Sequence, residues 1–235
     1  DGHQDVLITG QKYLRQPPGI ITKLYTNDGT GTFTEVLGTP FQAVANGSIA
    51  FADVNGDNHQ DVLITGDTTF SANTVGVAKL YTNDGTGTFT EVMNTPFDEV
   101  HRGSVAFADV NGDSHQDVLI TGWSNNNTPL PGPSAKLYTN DGTGKFTQVA
   151  GTPFEGVTIS SVAFADVNGD THQDVLIAGE NFDQEQISKL YTNDGTGSFT
   201  EVANTPFEGV YFGSVALADV NGDNHPDVLI TGWSD

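Results

Sequence analysis

Four stretches of the chain set oxygen-bearing side chains at alternating positions of a nine-residue run. They read DVNGDNHQD at 53–61, DVNGDSHQD at 109–117, DVNGDTHQD at 166–174 and DVNGDNHPD at 219–227. Positions 1, 3, 5 and 9 are Asp53, Asn55, Asp57 and Asp61 in the first; the second has Asp109, Asn111, Asp113 and Asp117. The third has Asp166, Asn168, Asp170 and Asp174, and the fourth Asp219, Asn221, Asp223 and Asp227. Odd spacing turns alternate side chains toward one centre as the backbone curls. Hard oxygen donors in that pattern suit Ca²⁺, which takes six to eight of them. Position 7 is His59, His115, His172 or His225, and its backbone carbonyl would complete the set. Three carboxylates within nine residues repel one another, so a merely solvated turn repeated four times would be a persistent liability. About four Ca²⁺ sites are expected. Asp1, His3 and Asp5 form a partial fifth set at positions 5, 7 and 9.

Other chemistries fit these residues less well. An EF-hand needs Gly at position 6, Glu at position 12 and flanking helices, and none of these is present. Recurrent His could suggest a transition metal, but the neighbouring donors are all oxygen, so a packed or hydrogen-bonded imidazole is the simpler reading. The Asp of the recurrent NDGTG phrase (Asp28, Asp84, Asp141, Asp194) reads as a turn-former rather than a ligand. No Ser-His-Asp or metal-hydrolase spacing occurs, and identical sets of Asp lack the asymmetry a catalytic constellation needs. A non-enzyme is expected.

The elements that position these turns come from an internal repeat. The phrase DVLITG begins at Asp5, Asp61 and Asp117, returns as DVLIAG at Asp174 and again as DVLITG at Asp227. KLYTNDGTG begins at Lys23, Lys79, Lys136 and Lys189, and TPF at Thr39, Thr95, Thr152 and Thr205. Each period reads as four strands. SIAFADV (48–54) alternates; DVLITG is apolar on both faces, as in a strand buried on both sides. AKLYTN has strand composition, NDGTG is a hairpin signal, and FTEV alternates again. Four short antiparallel strands per period of about 56 residues are the signature of propeller blades; a β-solenoid is the alternative. The expected division is a partial blade at 1–44 (strands 2 to 4), blades at 45–100, 101–157 and 158–210, and a partial blade at 211–235 (strands 1 and 2).

The stretch GSVAFADVNGDSHQDVLITG (103–122), with LYTNDGTGKF after it, resembles the FG-GAP/VCBS repeat of integrin α-subunit propellers and of many secreted proteins. The resemblance covers essentially the whole chain. It implies a β-propeller with Ca²⁺ between the first and second strands of each blade. Two departures stand out: position 6 is Asn58, Ser114, Thr171 or Asn224, where the family often has Gly, and the Phe-Gly pair is clear only at Phe212-Gly213. The repeat count resists closure into a ring. SVALADV (214–220) could serve as the inner strand of the first blade, but the last DVLITG would then compete with the opening one. The simplest expectation is a segment of a longer array, such as a seven-bladed ring, completed by further blades of the same polypeptide or by another copy.

In an antiparallel blade the 1–2 and 3–4 turns share one face, and the 2–3 and 4–1 connections share the other. The constant phrases therefore fall on one face and the divergent stretches on the opposite one. Tyr13, Phe70, Trp123, Tyr211, Phe212 and Trp233 are expected on that variable face, with Arg15 and Arg102, as candidates for stacking on a sugar or anchoring a protein. A net charge of −22 argues against nucleic acid, which needs clustered Lys and Arg. No apolar run approaches the length of a membrane helix. Asn46-Gly47-Ser48 and Asn126-Asn127-Thr128 would be glycosylation acceptors in a secreted eukaryotic protein. The expected function is a secreted or cell-surface Ca²⁺-binding adhesion or recognition module for a glycan or protein; a structural segment without a ligand of its own is the alternative.

Overall fold

A computed structural model describes residues 2–12, 19–69, 74–126 and 130–234. Among them every regular element is a β-strand, and no helix is long and apolar enough to cross a membrane. The first three strands are β1 (Val6–Lys12), β2 (Gly19–Asn27) and β3 (Phe33–Val36), followed by β4 (Ala45–Ala52), β5 (Asp61–Asp67), β6 (Gly76–Asn83) and β7 (Phe89–Glu91). Next come β8 (Val100–His101), β9 (Val105–Ala108), β10 (Asp117–Ser124), β11 (Gly132–Asn140) and β12 (Phe146–Gln148). The last are β13 (Thr158–Ala165), β14 (Asp174–Glu180), β15 (Gln186–Asn193), β16 (Phe199–Glu201), β17 (Tyr211–Ala218) and β18 (Asp227–Trp233).

All pairings are antiparallel, and within each blade they join strands that follow one another in the chain, the split first strand of the third blade apart. The strands form a three-stranded first blade, four-stranded second, third and fourth blades, and a two-stranded fifth. In the third blade the first strand is split into β8 and β9; β8 also bridges to β6 through Val77 and Val100, which joins the second and third blades into one sheet. The inner strands β4, β9, β13 and β17 contact one another in succession. The sheets at the two ends of the series are separate and are not joined into a ring.

The core lies between blades. Asp-Val-Leu-Ile strands are apolar on both sides because each is sandwiched: Leu63 of the second blade packs with Val118 and Ile120 of the third. Leu119 packs with Val175 and Ile177, and Leu176 with Val228 and Ile230, in the same way. The TPF phrase, to which the sequence assigned no role, clamps each junction. Phe41 meets Tyr81 and Phe89 of the next blade with ring centroids 5.1 and 4.8 Å apart. Phe97 meets Tyr138 and Phe146 at 5.2 and 4.9 Å, and Phe154 meets Tyr191 and Phe199 at 5.1 and 4.9 Å. Such edge-to-face contacts contribute about 0.5–1.5 kcal/mol each beyond area burial. Each buried Tyr hydroxyl also accepts the backbone N–H that follows the TPF phenylalanine: Gln42 to Tyr81 at 2.9 Å, Asp98 to Tyr138 at 2.8 Å, Glu155 to Tyr191 at 3.3 Å.

The inner strands carry a bulge that puts Asn46, Arg102, Ile159 and Phe212 in the left-handed region, with φ of 47, 52, 50 and 51°. Directly after it the chain passes so close to the second strand that a Cβ on Gly213 would stand 1.8 Å from the Thr231 carbonyl oxygen. The glycine of the Phe-Gly pair is thus a packing requirement.

Candidate metal centre

Each acidic turn links a first strand to a second strand. Its carboxylates organise the backbone. In the 53–61 turn, Asp53 Oδ1 accepts the Gly56 and Asp57 N–H groups at 2.7 and 3.2 Å, and Oδ2 accepts that of Asn58 at 2.8 Å. Asn55 Oδ1 accepts the Asp57 N–H at 3.0 Å, and Asp57 Oδ1 the His59 N–H at 2.8 Å. The 109–117, 166–174 and 219–227 turns repeat the central bonds. These bonds hold Asp219 and Asp223 below the usual carboxylate range, through the N–H groups of Asn224 and His225 foremost. Position 6 takes a left-handed conformation in every copy: φ is 65° at Asn58, 70° at Ser114, 73° at Thr171 and 66° at Asn224. The geometry explains why a glycine suits that position.

Position 9 behaves differently. Asp61, Asp117 and Asp174 are completely buried at the start of the second strand. Asp117 Oδ2 accepts the Val110 N–H at 3.1 Å and Oδ1 the Asn140 N–H at 2.8 Å. Asp61 and Asp174 bind Val54 and Asn83, and Val167 and Asn193, in the same way. Burial, foremost, pushes all three carboxyls up; the charges at positions 5 and 1 push the same way, and Asp117 reaches about 6. Among the described residues no three His, Asp or Glu side chains converge as a ready-made metal cluster. Carboxylates at positions 1 and 5 point their oxygens at backbone N–H groups instead. The available donors are those carboxylates, the Asn amide oxygen and backbone carbonyls, a hard-oxygen set.

The recurrent His has a packing role. A Cβ on Gly29, Gly85, Gly142 or Gly195 would lie 2.3–2.4 Å from the ring of His3, His59, His115 or His172, so each imidazole lies against the glycine of its own NDGTG hairpin. The hairpin Asp is a turn-former: Asp84 Oδ1 accepts the Thr86 hydroxyl at 2.6 Å and the Thr86 N–H at 2.9 Å. Thr hydroxyl donation, first, holds Asp28, Asp84, Asp141 and Asp194 below the usual range. The hairpin Asn reaches back a blade. Asn140 Nδ2 donates to the Val54 carbonyl and Asn193 Nδ2 to that of Val110, both at 2.8 Å. That link had no signal in the sequence, since its partners lie 86 and 83 residues apart.

At the opening of the chain, His3 and Asp5 line a cavity of about 550 Å³ with Leu24, Phe51, Gln60 and Phe89. Asp5 Oδ1 accepts the Asn27 N–H at 2.9 Å, the position-9 bond of the complete turns; Asp1 lies outside the described residues. On the variable face, the rings of Tyr211 and Phe212 meet tilted at 47° with centroids 5.3 Å apart, and Tyr211 is paired across the sheet with Trp233. Phe212 and Trp233 are 69% and 71% exposed. Trp123 is half-buried on the third blade, opposite His101. Tyr13, Phe70 and Arg15 lie outside the described residues. Residues not singled out in the sequence form a buried pair there: His101 Nδ1 stands 3.6 Å from Asp67 Oδ1, and neither atom has a hydrogen-bond partner.

Tandem antiparallel blades, each with an acidic turn between its first two strands, define an open β-propeller array. The chain belongs to the FG-GAP-like repeat family, whose model matches residues 1–64, 66–120, 109–177 and 167–230. Consecutive matches overlap at 109–120 and 167–177, on the acidic turns. Among solved structures, an exo-β-1,3-galactanase from Phanerochaete chrysosporium, solved with β-1,3-galactotriose, is similar with a TM-score of 0.45 and 13% identity. That match covers 89% of this chain and 55% of the galactanase chain, so this chain spans about half its length. No curated protein matches the chain.

Proposed function

We propose that this chain is a non-enzymatic, extracellular Ca²⁺-binding propeller module whose variable face recognises a glycan or a protein. The observation that carries the metal reading is the buried position-9 carboxylate. Asp61, Asp117 and Asp174 are sealed from water, hydrogen-bonded only to neutral N–H groups, and flanked by two more carboxylates. A buried anion in that setting is costly without a counter-cation. The donors fit a hard divalent ion: Asp at positions 1, 5 and 9, Asn at position 3, and the His carbonyl at position 7. Bound Ca²⁺ would supply the positive charge that couples the turn to the second strand. The aromatic group Tyr211, Phe212 and Trp233 supports recognition, because exposed rings beside polar loops bind sugar faces or protein side chains.

Two measurements test the reading. Adding millimolar Ca²⁺ to chelated protein should raise the melting temperature by several degrees, since an ion that binds only the folded state stabilises it by mass action; an unchanged melting temperature refutes the metal assignment. A glycan array in Ca²⁺, compared with Phe212→Ala and Trp233→Ala, tests the sugar form of recognition. Binding to no glycan refutes that form and leaves protein recognition to a pull-down with the same variants.

A further inference from the structure

The junction of the second and third blades breaks the repeat with a buried acid–base pair. Registers within the blades set Ala45 opposite Asp67, His101 opposite Trp123, and Thr158 opposite Glu180. The residues facing each other across successive junctions are therefore Asp67 and His101, then Trp123 and Thr158. Only the first junction joins a carboxylate to an imidazole. His101 Nδ1 stands 3.6 Å from Asp67 Oδ1, beyond the range of about 2.7–3.2 Å for an N–H···O bond, and both atoms are buried without a partner. Asp67 Oδ2 is held on its own blade by the Asn46 side-chain amide at 2.8 Å. Thr65 Oγ1, two residues earlier on the same face of β5, is also buried without a partner. Its counterpart Thr121 meets the Ser160 hydroxyl of the next blade at 2.8 Å, whereas the residue equivalent to Ser160 here is Gly103.

His101 rides on β8, which is two residues long and parted from β9, whereas β13 of the fourth blade runs unbroken from Thr158 to Ala165. Three ties hold β8. Val100 bridges to Val77, Val100 and His101 pair with Ser124 and Trp123, and the adjoining Arg102 N–H donates to the Asn46 carbonyl at 2.7 Å. The charged groups acting on the imidazole are Asp67 across the junction and Arg102 beside it. Asp98, just before β8, is taken up by Lys136, Ser124 and Ser134 at 2.7–2.8 Å, and Glu99 is exposed.

We propose that β8 is an acid-released latch between the second and third blades, with His101 as its catch and Asp67 as the fixed keeper. At neutral pH the uncharged ring stays in its dry seat. A proton on the ring creates a cation whose facing carboxylate is too distant to bond and already shared with Asn46. Burial lowers the affinity of His101 for that proton more than Asp67 raises it, so the charged ring leaves the seat for water. β8 moves with it, the Arg102–Asn46 bond opens, and Trp123 gains exposure on the variable face. The device works whether or not the acidic turns hold a cation.

Trp233→Phe changes an exposed side chain and leaves Trp123 as the one tryptophan, so its emission reports the latch. Between about pH 8 and pH 5 the emission should shift to the red in a single-proton step below the ordinary His value of 6.5. Across that step, exchange of the Arg102 amide, corrected for its intrinsic pH dependence, should accelerate at least about tenfold. The Val149 amide, bonded to the Leu137 carbonyl within the third blade, should not change. His101→Asn should abolish the step. Asp67→Asn, which keeps an oxygen for the Asn46 amide, should move the step to lower pH, because the anion that favours the cation is gone. A step that survives His101→Asn belongs to another group and overturns the proposal. So does a blue shift, an Asp67→Asn step that stays put or rises, or Arg102 exchange that stays constant while the emission changes, as simple quenching by the imidazolium would give.

Discussion

Replacing Tyr138 by Phe isolates one bond of the junction clamp. Tyr138 is fully buried, its ring packs edge-on against Phe97, and its hydroxyl accepts the buried Asp98 N–H at 2.8 Å. Burial pushes the phenol up to about 12, so it remains neutral at working pH. The substitution keeps the ring and its packing but strands the Asp98 N–H. A lost neutral hydrogen bond costs about 1 kcal/mol, and a buried unsatisfied donor about 1–3 kcal/mol. The expected loss is therefore about 2 kcal/mol, or about 4–8 °C in melting temperature for a chain of this size. Tyr191→Phe should lose about half as much, because its bond is 3.3 Å long and partly buried. Among the described residues no TPF phenylalanine packs on Tyr25, so Tyr25→Phe in this chain should stay within about 0.5 kcal/mol. Urea titrations with unchanged slope give the ranking, and amide exchange at Asp98 reports the bond directly. Equal losses at Tyr25 and Tyr138, or no loss at Tyr138, would refute the assignment of the hydroxyl as an anchor.

Further outcomes follow from the strained and buried groups. Burial holds His101 below its ordinary value of 6.5, against the opposing pull of Asp67 and with a small push from Arg102. The folded state therefore binds fewer protons than the unfolded one. Its contribution is complete above about pH 6.5 and is lost as pH falls toward the folded value, so His101→Asn should flatten the acid limb of the melting-temperature profile. An unchanged limb would assign it elsewhere. Thr171 is β-branched at φ 73°; Thr171→Gly should gain about 0.5–1 kcal/mol, whereas Asn58→Gly should be near neutral because Asn tolerates that region. Gly85→Ala should cost about 1–3 kcal/mol from its φ of 79° and from contact with His59; the same substitution beside His59→Ala should cost less, as a double-mutant cycle would show.

The four-strand period was legible because alternation, turn chemistry and repetition agree in every copy. The acidic turns were legible for the same reason: Asp, Asn and Gly shape such turns locally, within reach of a nine-residue reading. Contacts that cross from one blade to the next were not legible. The role of TPF needs Tyr and Phe some 40–50 residues ahead, and the role of the hairpin Asn needs a carbonyl in the preceding blade. The left-handed position 6 was also hidden, since Ser114 and Thr171 carry no signal for it. Trp123 and Trp233 occupy the same place in the repeat, but the former is half-buried opposite His101 and the latter exposed, a difference the repeat itself does not encode. The Asp67–His101 pair breaks the repeat at a single junction, where periodic reasoning has nothing to compare.

The hairpin asparagines also place the acidic turns in series. Asn140 grips the Val54 carbonyl in one turn with its side chain and donates its backbone N–H to Asp117 in the next. Asn193 does the same between Val110 and Asp174. The 53–61, 109–117 and 166–174 turns are thus mechanically linked in series, each pair by one residue whose two donors are fixed to each other. On the proposed cation reading, occupancy of one turn would change the work of filling the next. Titration should then follow nearest-neighbour statistics, as in a short one-dimensional lattice, and Asn140→Ala should cut the lattice in two.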